Sequence, residues 1–173
     1  MELNKYILTE ALRIDVCEEY AKIIPLATST DDLMKMYVSP KGIEFCLTNN
    51  FPSNADLLDS ASDIINQYGV YIDQSIRLSD RGFVVLLGSC TGEVKCDGFS
   101  VTQIFVKHKT NVIIKVTDNA FTAIDCFDQS NTHVEVSESA KVIINVYTGA
   151  KISTNKVKGE ERIKIVYKLK SGY

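Results

Sequence analysis

No apolar run in this chain approaches the ~20 residues that carry a helix across a bilayer, so no membrane anchor is expected. The opening stretch, "MELNKYILTEALRI", sets acidic residues among its apolar ones. It lacks the basic start, the long apolar core and the small-residue cleavage site of a secretory leader, and a cytoplasmic setting is the expectation. Cysteine is sparse and odd in number: Cys17, Cys46, Cys90, Cys96 and Cys126, with no CxxC pair. That argues against a disulfide framework or a zinc ribbon and for reduced, mostly buried thiols. Histidine is scarcer still, with His108 and His133 alone. Their spacing, with or without Cys90, fits no metal motif, so neither a metal nor a cofactor is expected. No catalytic motif stands out.

What remains is an ordinary globular composition. The chain has 173 residues, 45% of them hydrophobic and 24% charged, enough for one large domain or two small ones. The net charge of −3 is unevenly spread. Residues 1–80 hold 6 Lys and Arg against 13 Asp and Glu, a net −7, and residues 81–173 hold 13 against 9, a net +4. The hydrophobic period also changes near residue 80. The expected organisation is an acidic helical region with a connector over 1–80 and a second structure over 81–173.

The first half reads as short helices. Leu3, Ile7, Ala11 and Leu12 recur at helical spacing, as do Val16, Tyr20, Ile23 and Ile24. Pro25 ends that second segment, because proline has no amide hydrogen for the helix ladder. Ser29 before Asp31 and Asp32 predicts a capped helix, Ser39 before Pro40 another, and Ser53 before Asp56 a third that closes at Gly69. The last carries Asp56, Asp59 and Asp63 on one face, which solvation alone explains. From Val70, "VYIDQSIRLSDRG" reads as an extended connector.

The second half repeats every twenty residues. Blocks starting at 81, 101, 121 and 141 align Val84, Ile104, Ile124 and Ile144 in one column, and Leu86, Val106, Cys126 and Val146 in another. Val94, Ile114 and Val134 form a third, and Cys96, Val116 and Val136 a fourth. A small-residue column holds Ser100, Ala120 and Ala140. Each block contains two short runs of period two, the pattern of strands with one face inward. Polar or glycine-bearing bends separate them. Two strands and two bends in twenty residues leave no room for a helix, and suit one turn of a solenoid. The expected fold is therefore α+β: an N-terminal helical region, then a short single-stranded β-solenoid of about four to five 20-residue coils. The last block fits after a slip of one residue, absorbed in the "KVKGEE" bend. Ile163, Ile165 and Tyr167 then point inward.

The period matches neither the five-residue subrepeat of pentapeptide proteins nor the eighteen-residue coil of hexapeptide acyltransferases. The stretches "GIEFCLTNNFPSNADLL", "LLGSC", "VKHKTNVIIKVTDNAF" and "IDCFD" resemble instead a group of small uncharacterised proteins from gut Bacteroidales genomes and their mobile elements. That resemblance implies the helical head, the solenoid and an intracellular setting. It brings no activity, cofactor or catalytic residue.

Three outward-facing features are candidates for function. Asp125 lies one coil below Asn145, and Asp118 below Glu138, with Asp128 nearby; paired carboxylates can act on glycans, and solvated acids are the plain alternative. Lys95 and Lys115 share a column, and Lys107, His108 and Lys109 form a basic bend beside Phe105, a pattern that could face phosphates and stack a base. The seventh column reads Leu87, Lys107, Phe127, Tyr147. Its two aromatics are either covered by the N-terminal helices or serve as an interface. The reading favoured is a non-enzymatic interaction or structural protein that uses the outer faces of the solenoid. Its partner would be another protein or a second copy, through Phe127, Tyr147 and Phe105. Nucleic-acid binding is the alternative, and a glycan-active enzyme comes third.

Overall fold

The structure is a computed structural model and describes residues 3–155 and 162–173. It divides into two compact units, one running to Tyr68 and including Tyr173, the other Gly69–Gly172. Among the described residues no helix is long and apolar enough to cross a membrane.

The first unit holds α1 (Leu3–Arg13), α2 (Glu18–Ile23), α3 (Thr30–Tyr37), α4 (Pro40–Asn49) and α5 (Asn54–Ala61). The serine caps form as their spacing predicts. Ser29 and Ser53 accept from the backbone of Asp32 and Asp56, and each Asp carboxylate returns a bond to the cap backbone. Ser39 accepts from Gly42 with Pro40 in the first turn. Each reciprocal pair satisfies amides that the helix start leaves without partners. Pro25 falls in a 3-10 turn, Ile24–Leu26, directly after α2. The last predicted helix is shorter than its pattern: α5 stops at Ala61 and a separate 3-10 turn covers Ile65–Tyr68 before Gly69, whose φ is +74°.

The second unit is the solenoid. One six-stranded parallel sheet, A, has the order β1 (Val70–Ile72), β3 (Phe83–Leu87), β5 (Val101–Val106), β7 (Phe121–Cys126), β9 (Lys141–Val146) and β11 (Ile163–Tyr167). A five-stranded sheet, B, runs β10 (Lys151–Thr154), β8 (Asn131–Val136), β6 (Asn111–Val116), β4 (Thr91–Cys96), β2 (Ser75–Ser79). In the middle coils every residue pairs with its copy twenty on, for example Ile104 with Ile124 and Ile114 with Val134. The inward columns are the anticipated ones: Val84, Ile104, Ile124, Ile144, Val94, Ile114 and Val134 lose all solvent contact. Cys96 and Cys126 lie in the same core.

Two strands begin before the expected boundary at residue 81. β1 and β2 lie in the stretch that reads as a connector, and they form the first coil. Their pairing is out of step with the rest: Val70 meets Val85 and Ser75 meets Thr91. A coil with these shorter offsets is invisible to a search at period twenty. Gly92 makes the tight approach feasible. At its φ of +122° an added Cβ would lie 2.0 Å from the Ile76 carbonyl oxygen, whereas the next coils carry Val112 and Thr132 at that position.

At the other end the one-residue slip is present, since Ile163 pairs with Val142 and Ile165 with Ile144. The bend expected to absorb it, with Lys156, Lys158, Glu160 and Glu161, lies outside the described residues. Ile163 and Ile165 pack on the core. Tyr167 shares their inward register but is 69% exposed, because β11 is the last strand of its sheet.

Candidate interaction surfaces

The bends carry the first device. Position eight of three successive coils sits in left-handed backbone: Gly88, His108 and Asp128, with φ of 70°, 62° and 56°. The His108 and Asp128 side chains each reach back one coil. The Gly88 amide donates to His108 Nδ1 at 3.0 Å, and the His108 amide to Asp128 Oδ2 at 3.3 Å. His108 is thus a structural acceptor, half-buried in a bend. Desolvation first, and Lys107 next, hold its imidazole below the ordinary value, which keeps Nδ1 free to accept. The opposite bend repeats the pattern with Gly98, Asp118 and Glu138. The Gly98 amide donates to Asp118 Oδ2 at 2.8 Å and holds that carboxyl below its usual range. A hydrogen bond to Asp118 pushes Glu138 above its own. This carboxyl pair was expected from the sequence, and its members engage each other and the backbone.

The second feature is the outer row of sheet A. Phe127 and Tyr147 stack, with centroids 4.4 Å apart and planes at 22°. Lys107 Nζ lies 5.4 Å from the Phe127 centroid and 3.0 Å from Asp128 Oδ2, a cation–π contact combined with an ion pair. Asn145 Nδ2 donates to Asp125 Oδ1 at 2.8 Å, one coil apart as the columns imply. Phe105 packs against Phe83, centroids 5.5 Å apart. Phe105, Lys107, Asp125, Phe127 and Tyr147 are all at most 4% exposed. The sequence places them correctly on the outer side of the sheet. Within the chain they are buried, so they present no open patch.

The basic candidates do not come together. Lys95 and Lys115 are neighbours on the outer face of sheet B. Each holds a carboxylate at 2.6 Å, Lys95 that of Asp97 and Lys115 that of Glu93. Lys107 is buried, His108 half-buried, and only Lys109 of that bend is exposed. The two groups sit on different sides of the coil, since the Lys107–Lys109 bend follows sheet A and the Lys95–Lys115 column ends sheet B. His133 pairs with Ser153 Oγ at 2.8 Å through Nδ1 and lies 3.7 Å from Glu135 through Nε2. Cys90, in the bend after β3, is fully buried, and its thiol donates to the Tyr71 carbonyl. Among the described residues no three His, Cys, Asp or Glu side chains gather as metal ligands.

One surface escapes the column reading. Phe99 is 86% exposed, Val101 70% and Phe121 37%. Val101 and Phe121 are direct neighbours on β5 and β7, and Phe99 lies in the bend that enters β5. The three form an apolar corner. Phe121 is followed on the next coil by Lys141, while Asp97, Asp118 and Glu138 line the bend beside it. The signal was present in the sequence: position one of the repeat carries Val101 and Phe121 where alternation demands an outward residue. No protein-family model, no curated protein and no solved structure matches the chain.

Proposed function

We propose that the chain is a non-enzymatic interaction protein whose solenoid displays an apolar corner to a second copy of itself. The observation that carries this reading is the exposure of Val101 and Phe121, neighbours on the parallel sheet, together with Phe99 in the bend that enters it. Large apolar groups grouped in the open mark docking sites on soluble proteins. Lys141 extends the apolar column, and Asp97, Asp118 and Glu138 stand on its other side. Two-fold closure is the commonest symmetry of such assemblies. The sequence expectation placed the interface on Phe127, Tyr147 and Phe105. The exposed corner supports it better, because those three side chains are already buried. The mutual pairing of the outer carboxylates and lysines supports a display role over catalysis or phosphate binding.

Solution mass by light scattering tests this. The wild type is expected at twice the chain mass of 19.3 kDa, and Phe99→Ser with Phe121→Ser at the chain mass with an unchanged circular dichroism spectrum. A monomeric wild type refutes the reading, as does a folded double variant that remains a dimer.

A further inference from the structure

The solenoid ends on an open strand. β11 is the last strand of sheet A and pairs on one side, with β9. The Lys168 amide donates to the Val146 carbonyl, and the Lys170 carbonyl accepts from the Thr148 amide. In a parallel pair the peptide groups of alternate residues turn to the same neighbour, so those of Lys164, Val166 and Lys168 serve β9. Those of Ile163, Ile165 and Tyr167 turn the other way, where among the described residues no strand follows. The side chains at this end are uncovered too. Tyr167 stands in the inward register yet is 69% exposed, and Leu169 beyond it is fully exposed. The charge here has one sign. Residues 139–155 and 162–173 hold Lys141, Lys151, Arg162, Lys164, Lys168 and Lys170 and no Asp or Glu. In the sequence, 156–161 add two Lys and two Glu, which cancel.

An unpaired strand edge is a template for a further strand. We infer that the edge of β11 is a docking site for an extended segment of a partner protein in which acidic residues alternate with apolar ones. Its backbone continues sheet A. Its apolar side chains cover Ile165 and Tyr167, and its carboxylates meet Lys164 and Lys168, which alternate with those apolar positions. Two properties of the edge choose this partner. The outward peptide groups present a donor and an acceptor at every second residue, about 6.6 Å apart. A polypeptide matches both, whereas a phosphodiester backbone offers acceptors alone. A second copy of this strand fits the spacing but not the charge. The antiparallel pairing that serves all three outward peptide groups is centred on Ile165, and it sets Arg162 opposite Lys168 of the second copy at both ends. Like charges directly opposite oppose that pairing, and the same cations attract an acidic strand.

The probes are a fluorescent peptide, acetyl-Glu-Val-Glu-Ile-Glu-Val-Glu-amide, and its analogue with Lys in place of each Glu, titrated against the full chain by anisotropy. Saturable binding of the Glu peptide is expected, with shifts of the Ile163, Ile165 and Tyr167 amide signals in ¹⁵N spectra. The Lys analogue should bind about tenfold more weakly or worse. Tyr167→Pro removes one outward amide and spares the bonds to β9, as proline on an edge strand does. It should weaken the Glu peptide about tenfold, and Tyr167→Val, which keeps the amide, should weaken it less. Lys164→Glu with Lys168→Glu should reverse the preference between the two peptides. These variants should keep the wild-type circular dichroism spectrum. The inference is overturned if the Glu peptide gives no saturable binding, if the Lys analogue binds as tightly, or if a folded Tyr167→Pro chain binds the Glu peptide unchanged. Oligothymidylate binding as tight as that of the Glu peptide also overturns it, because the end then reads negative charge alone.

Discussion

Replacing Thr122 by valine should make the protein more stable. Thr122 is fully buried and its hydroxyl has no hydrogen-bond partner among the described residues; the hydroxyl of buried Thr102, one coil below in the same column, is likewise unpartnered there. The next coil up has Val142 at this position, 1% exposed and paired with Thr122 in register. The core therefore already accepts a valine in this column. A buried hydroxyl without a partner costs about 1–3 kcal/mol, and the isopropyl group has nearly the same shape. The Cys96 thiol feels both hydroxyls: burial raises it, and Thr102 and Thr122 pull it down. Sulfur is a weak acceptor, which trims the gain. The net expectation is a stabilisation of about 1–2 kcal/mol. In urea, at a slope of roughly 2 kcal/mol per molar, the midpoint should rise by about 0.5–1 M with an unchanged slope. Thr102→Val should act likewise, and the double variant should fall short of the sum because both hydroxyls face one sulfur. A lowered midpoint for Thr122→Val would refute the reasoning and show that the hydroxyl–thiol contact outweighs the desolvation.

Ile124→Asp should remove cooperative unfolding of the solenoid, at a cost above about 4 kcal/mol, because it sets a carboxylate between Ile104 and Ile144 with no counter-charge; denaturant titration followed by circular dichroism checks it. Gly92→Ala should cost about 3 kcal/mol or more, from a contact with the Ile76 carbonyl at a φ that L-residues rarely adopt, and should be visible as a lowered melting temperature. The His108 imidazole is held below 6.5, so the unfolded chain takes up a proton there before the folded one does. Its contribution is present above pH 6.5 and is lost as pH falls from there through the folded value. His108→Asn keeps a side-chain acceptor and tolerates left-handed backbone, so stability measured from pH 7 to 5 should fall less steeply in this variant than in the wild type.

The solenoid was legible because the hydrophobic columns repeat at one spacing: Ile104, Ile124 and Ile144 announce their own stacking. Its first coil was not, because Val70 to Val85 and Ser75 to Thr91 are shorter steps that share no period with the rest. Alternation also tells which side of a strand a residue takes, and it placed Phe127, Tyr147, Lys107 and Asp125 correctly on the outer side. It carries no information on whether that side meets water, and these four do not. For the same reason Lys95, Lys107 and Lys115, close in sequence columns, read as one basic patch although the bends part them. The apolar corner was missed because Phe99 belongs to a bend, where column logic assigns no face. The helix caps were legible residue by residue, since Ser29, Ser39 and Ser53 act on amides three positions away.

The register of the middle coils gives the chain a quantised length. Each strand of that region bonds only to its copies twenty residues before and after. Excising residues 101–120 would join Ser100 to Phe121 and hand Val84 from Ile104 to Ile124, and Val94 from Ile114 to Val134, without altering the kind of residue met. The stack would lose one monomer of a one-dimensional array, along with one set of nearest-neighbour energies. An excision of ten residues would be a different event. It would deliver sheet A sequence to sheet B and leave every later strand facing a stranger, so the chain tolerates change in whole turns and in no smaller unit.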